Sequence, residues 1–163
     1  MVRRHVAPAI GGRAGLVALG LLVGALAASP ARAQPPAAAP SPFVFNSDAG
    51  VILNFVKADK TGDFEGVLSK LKEGLAKSDK AERKAMAAGW KIFKANEPGP
   101  SGAVIYVFVI DPVAKGQEYS VGNLLVEAFG AEGQTLYKTY SDSYANPAIG
   151  ALLHLNSFLD LGK

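Results

Sequence analysis

Residues 103–110 read AVIYVFVI, eight consecutive apolar residues that are mostly β-branched or aromatic. That composition makes a strand, and an uninterrupted apolar strand belongs in the middle of a sheet with both faces covered. Asp111-Pro112 ends the run, and residues 96–102 (NEPGPSG), with two prolines and two glycines, make a loop before it. The rest of the chain therefore has to supply neighbouring strands and a cover.

Two other segments read as neighbouring strands. In residues 51–57 (VILNFVK), Val51, Leu53 and Phe55 share one face and Ile52, Asn54 and Val56 the other. Residues 88–95 (AGWKIFKA) read as a second strand, with Trp90 and Ile92 on one side and Lys91 and Phe93 on the other. Between them, residues 58–62 form a turn. Thr61 is placed to cap a helix that carries Phe64, Val67, Leu68, Leu71 and Leu75 at helical spacing. Residues 78–85 (SDKAERKA) read as a solvated connection or a short helical turn.

After the central strand, a helical region opens near Ser120 and buries Leu124, Leu125, Ala128 and Phe129; Gly130 and Gly133 interrupt it. A second helical segment carries Leu136, Tyr137, Tyr140 and Tyr144, and Asn146-Pro147 terminates it. Residues 153–161 alternate, with Leu153, Leu155, Leu159 and Leu161 on one side, which favours a final strand; their leucine content leaves a helix open.

The resulting order is strand, helix, strand, strand, helix, strand. The expected fold is α+β, a ferredoxin-like β-α-β-β-α-β arrangement with a four-stranded antiparallel sheet and both helices on one face. That leaves the other face of an apolar sheet open, which is unusual on a monomer. Two copies pressed sheet to sheet would hide it, so a homodimer is expected.

The segments VILNFVK, AGWKIFKA and AVIYVFVID, in this order, resemble the first three strands of the dimeric α+β barrel superfamily. The chain is similar in pattern, over residues 50–161, to small NIPSNAP-like and antibiotic-biosynthesis-monooxygenase-like proteins. The resemblance implies sheet-to-sheet dimerisation. It also admits cofactor-independent oxygen chemistry or a histidine-ligated haem, although no motif of either kind surrounds His154, the single histidine beyond residue 33.

The N-terminal segment changes the reading of charge. Arg3, Arg4 and Arg13 are followed by an uncharged apolar run (residues 14–28) and by an A-x-A pattern ending at Ala33, the form of an export signal. A run of about 15 residues falls short of the roughly 20 needed to span a bilayer. Residues 1–33 are thus expected to be removed, leaving no membrane anchor and a periplasmic or secreted protein. Arg3-Arg4 leaves a twin-arginine route open, but the flanking residues fit ordinary export better. Residues 34–42 (QPPAAAPSP) form a Pro/Ala linker, and residues 43–163 a single domain.

Four of the 17 basic residues (Arg3, Arg4, Arg13, Arg32) and none of the 14 acidic ones lie in the signal, so the remainder has 13 bases, 14 acids and a net charge of −1. The positive charge of the whole chain is therefore no argument for nucleic-acid binding. Cysteine is absent, which excludes disulfides and thiol nucleophiles. One histidine and no cysteine disfavour a metal site, and no G-x-S-x-G elbow, P-loop or dinucleotide-binding glycine pattern is present.

The candidates that remain are few. His154 is the sole candidate base or haem ligand, and a structural role is the simpler account of it. Asn54, a polar amide in an apolar strand, must find partners or point into a pocket. Tyr137, Tyr140 and Tyr144 share a helix face if the helix runs that far, and form a pocket wall or a packing layer. Trp90 and Tyr106 line the same space or the dimer interface. Together these residues suit a small apolar or aromatic ligand, with no cofactor required; an enzyme and a purely structural dimer stay open.

Overall fold

The computed structural model describes residues 40–162; the segment expected to be an export signal (residues 1–33) and most of the expected linker lie outside the described residues. Four strands form one antiparallel sheet in the order β2-β3-β1-β4, where β1 is Ala49–Val56, β2 Trp90–Pro98, β3 Val104–Ile110 and β4 Tyr144–Leu155. The apolar run of residues 103–110 supplies β3, an interior strand. Four helices accompany the sheet: α1 (Thr61–Lys77), α2 (Ala81–Gly89), α3 (Val121–Phe129) and α4 (Ala131–Asp142). Each helix of the expected six-element order is thus a pair, α1 with α2 and α3 with α4. The α+β class and the ferredoxin-like strand order are as expected.

One face of the sheet is closed by the helices. Ile52, Val56, Tyr106, Phe108 and Ile110 meet Phe64, Val67, Leu71 and Leu75 of α1, Met86 of α2 and Leu124 and Leu125 of α3 in one buried cluster. The alternation in β1 and β3 decides which residues enter it. Their alternates, Val51, Leu53, Ile105, Val107 and Val109, point the other way and stay half-buried. They are flanked by Phe93, 53% exposed, and Leu153, 47% exposed. The described residues of one copy therefore cover β3 on one face.

Several boundaries differ from the sequence reading. Residues 81–89 are a full helix, and Ala88 and Gly89 end it rather than start β2. The reasons are tertiary. Met86 is buried completely, Gly89 lies against the Pro112 carbonyl where a side chain would not fit, and Arg83 grips Glu127 of α3 through Nε–Oε1 at 3.1 Å and Nη2–Oε2 at 2.6 Å. β2 runs on through residues 96–98, expected as loop, because Pro98 pairs with Val104 after a register shift. Thr61 is the first residue of α1 rather than its cap, and its hydroxyl donates back to the Ala58 carbonyl at 3.4 Å. Gly130, with φ 57°, does separate α3 from α4, whereas Gly133 lies inside α4.

The largest correction is at the C-terminus. Tyr144 begins β4, so the helix face of three tyrosines ends at Tyr140. Asn146-Pro147 lies within β4, and residues 156–161 carry no strand. Residues 144–153 (YANPAIGALL) lack alternation; β1 makes them a strand by pairing, with register shifts on both sides of Asn54.

Two predictions follow from the packing. A methyl group on Gly133 would overlap the Leu125 carbonyl where α3 and α4 cross, whereas one on exposed Gly66 of α1 meets nothing within 4 Å. Gly133→Ala should cost about 2 kcal/mol and Gly66→Ala should add about 0.5–1 kcal/mol; urea midpoints that move in the same direction would refute this. The Arg83 guanidinium, helped by Lys80, holds the Glu127 carboxyl down at about 2, from 4.5. A depressed carboxylate stabilises the fold above its unfolded value and loses that contribution as pH falls towards its folded one. Glu127→Gln should therefore cost about 1 kcal/mol at pH 7, after screening at this partly exposed pair, and the gap from the unmodified protein should close between pH 4.5 and 2.

Candidate functional site

A cavity of about 310 Å³ opens between the helix-side face of β1, β3 and β4 and the pair α3–α4. Its sheet wall is Ile52, Asn54 and Phe108; its helix wall is Val121, Gly122, Tyr137 and Tyr140; Tyr144 and Ile149 of β4 close one side. Among the described residues no charged one lines it.

Local packing explains the space. Gly122 on α3 lets the Tyr137 ring lie flat against the helix, since a Cβ there would come within 2.6 Å of the ring. The chain then turns sharply from α4 into β4. Lys57, just after β1, donates its backbone N–H to the Ser143 carbonyl at 2.9 Å and its ammonium to the Asp142 carbonyl at 2.8 Å. That junction sets Tyr144 beside Tyr140, with ring centroids 5.0 Å apart and planes at 86°. Phe64 of α1 stacks on Tyr140 at 5.1 Å and backs both rings.

The polar groups of the wall are joined to one another. The Asn54 amide nitrogen donates to the carbonyls of Ile52 and Tyr106, each at 3.3 Å. Its Oδ1 accepts from the Tyr144 hydroxyl at 2.7 Å, and the Tyr140 and Tyr144 hydroxyl oxygens stand 2.5 Å apart. Asn54 is 1% exposed and Tyr140 6%. Burial raises both phenols above their ordinary range; for Tyr140 the neighbouring Tyr144 adds to the effect. Both hydroxyls therefore keep their protons at ordinary pH, and neither offers a phenolate base.

Four of the six ligand-site residues expected from sequence, Asn54, Tyr137, Tyr140 and Tyr144, line this one cavity. Trp90 and Tyr106 do not. Trp90 packs edge-on against Phe108 and Tyr119 and borders a separate apolar groove, of about 530 Å³, between α1 and β2. Tyr106 sits in the core, its hydroxyl donating to Glu65 at 2.5 Å, while Lys94 pairs with the same carboxylate at 2.9 Å. Those two bonds, the tyrosine's first, hold the Glu65 carboxyl below its usual range. His154 is exposed on β4, with its ring against Phe45 at 4.4 Å, and is not part of the cavity wall. Among the described residues no group of three or more His, Cys, Asp or Glu side chains is placed to hold a metal.

Phe43, Tyr119 and Ile149 also line the cavity and carry no sequence signal for it. Phe43 and Tyr119 come together because the Tyr119 amide donates to the Phe43 carbonyl at 2.9 Å, a contact between segments far apart in sequence. Compared with protein-family models, with curated proteins and with solved structures, the chain finds no match.

The bonding order within the wall predicts a ranking of variants. Tyr144→Phe leaves both the Asn54 oxygen and the Tyr140 hydroxyl without a partner in a buried place, and should cost about 2 kcal/mol. Tyr140→Phe leaves the Tyr144–Asn54 bond intact and should cost about half as much. Chemical denaturation of the two variants checks the order, and the reverse order would refute the connectivity.

Proposed function

We propose that this chain is an exported binding protein that holds a small, neutral, largely aromatic molecule in the cavity between the sheet and α3–α4, and that it works as a homodimer. The observation that carries the reading is the wall itself. It is uncharged and aromatic, and its buried polar groups bond to one another rather than standing ready to move a proton. A space of about 310 Å³ lies at the small end of ligand pockets. The sole histidine of the exported part stands outside it, so a cofactor-independent oxygenase, or a haem held by His154, has less support than a binder.

Export rests on the basic and apolar pattern of residues 1–33 and its A-x-A end. The dimer rests on the outer face of the sheet. Val51, Leu53, Phe55, Phe93, Ile105, Val107, Val109 and Leu153 make it apolar across all four strands. Four strands about 4.8 Å apart, each contributing about seven residues at ~3.3 Å, give a plane of roughly 450 Å². A standard stable interface buries about 800 Å² per partner, so the sheet plane alone supplies about half of it. An apolar surface of this kind, with Lys91 opposite Val109 at its β2 edge, fits a second copy of itself about a two-fold axis. The strand order β2-β3-β1-β4 supports a place in the dimeric α+β barrel superfamily.

Native mass spectrometry of residues 34–163, purified gently from the exported fraction, tests both parts. The expected result is a dimer carrying extra mass that organic extraction removes. Val107→Lys, placed between Leu53 and Phe93 on the outer face, should give a monomer. A monomer of the unmodified protein at tens of micromolar would end the dimer reading. Bare protein that a panel of small aromatic compounds fails to stabilise against heat would end the binding one.

A further inference from the structure

The hydrogen bonds of the cavity wall run in one direction, and that direction limits what the cavity can accept. Both N–H groups of the Asn54 amide are spent on backbone carbonyls, of Ile52 in its own strand and of Tyr106 directly opposite in β3. A flipped amide would set its oxygen against those two carbonyl oxygens, so Oδ1 has to face Tyr144. Oδ1 can only accept, and Tyr144 therefore spends its single proton on Asn54 at 2.7 Å. The Tyr140 and Tyr144 oxygens are 2.5 Å apart, a separation that needs a proton between them. Only Tyr140 has one left to give. The relay thus runs Tyr140 to Tyr144 to Asn54 to the sheet carbonyls, with every proton committed.

What remains unspent on this relay is acceptor capacity, the lone pairs of the Tyr140 hydroxyl. The other hydroxyls of the wall lie off this relay. The Tyr119 hydroxyl accepts from the backbone N–H of Ala114, a residue outside the cavity wall, at 2.9 Å, which places it away from the relay. Tyr137 and Ser141 are exposed, and Ser120 is half-buried at the start of α3, so water reaches these groups.

We infer that the cavity selects aromatic molecules that present a hydrogen-bond donor, a phenolic hydroxyl or an aromatic N–H, and rejects molecules of the same shape that carry only an acceptor. A phenol leaving water gives up a hydrogen bond and regains one on Tyr140. An ether or ketone oxygen placed there would face lone pairs and regain nothing. This inference rests on the cavity being the binding site, and its test separates the two.

Titration calorimetry with 2-naphthol, 2-methoxynaphthalene and naphthalene, on the exported protein after organic extraction, decides it. Naphthalene reports whether the cavity takes an apolar ring system at all. 2-Naphthol reports the donor, and its methyl ether reports an acceptor without one. The expected result is that 2-naphthol binds about tenfold more tightly than the ether and at least as tightly as naphthalene. In Tyr140→Phe that preference should fall to within about threefold while naphthalene still binds; in Tyr137→Phe, which alters an exposed hydroxyl, it should persist.

Equal binding of naphthol and ether, or a preference for the ether, would overturn donor selection and leave the cavity reading standing. A naphthol preference that survives Tyr140→Phe would overturn the assignment to the relay. Failure of all three probes to bind would remove the cavity reading and this inference together. If Tyr140→Phe does not fold, the ranking of the three probes on the unmodified protein decides the proposal alone.

Discussion

The pairing of β1 with β3 is the constraint on which the rest of the domain depends. Seven consecutive residue pairs, from Gly50 with Ile110 to Val56 with Val104, lock the two strands in a single register. A slip of one residue would turn Ile52, Tyr106 and Phe108 out to the far face and bring Val51, Leu53 and Val107 in. The helices read that register. Phe64 touches Tyr106, Phe108, Tyr140 and Tyr144, and so ties α1 to both central strands and to the α4–β4 junction. The fold is held by one ring layer, with the helices fitted to it.

The cavity follows from how the last strand joins this frame. β4 pairs regularly with β1 from Ala49 to Leu53 and then slips twice around Asn54. At the slip the Asn54 side chain bonds to the backbone of β1 and β3 and receives the Tyr144 hydroxyl from β4. A side-chain bond thereby helps hold β4 where its regular pairing fails, and α3 and α4, joined at Gly130, arch over the gap. Charge is kept at the edges. Glu65 with Lys94, and Glu127 with Arg83 and Lys80, join elements at the rim and leave the cavity wall neutral.

Elements whose burial pattern is strong and local were legible in the sequence. α1 declares itself by Phe64, Val67, Leu71 and Leu75, and β1 and β3 by alternation and apolar content, so the strand order and fold class could be reached from these segments alone. The failures share a cause. α2 is nearly featureless as a sequence, and Met86, Gly89 and Arg83 acquire their meaning only from Pro112 and Glu127, which lie elsewhere in the chain. β4 begins at a tyrosine that continues the α4 spacing, and its proline and glycine read as breaks, so pairing with β1 overrides local preference. Within the site, Asn54 was legible because a buried amide demands partners. Tyr140 and Tyr144 were legible as neighbours, though for the wrong reason, a shared helix face. Phe43 and Tyr119 gave no local signal, since their place depends on a backbone contact between distant segments.

The relay that seats β4 is also a polar part of the cavity wall, and this joins stability to the proposed recognition. A pocket lined by free polar side chains can be retuned without disturbing the fold. Here the hydroxyl that would meet a ligand is held by the same bonds that fix Tyr144, and through Asn54 the two central strands. Its direction cannot be reversed locally, because the far end is anchored in backbone carbonyls that have no alternative polarity. A bound donor would add one more bond to a chain already aligned, polarising it further in the same sense. The proposed preference for a donor is in this way a consequence of how the sheet is closed, and substitutions of Asn54 or Tyr144 that weaken it should also loosen the attachment of β4.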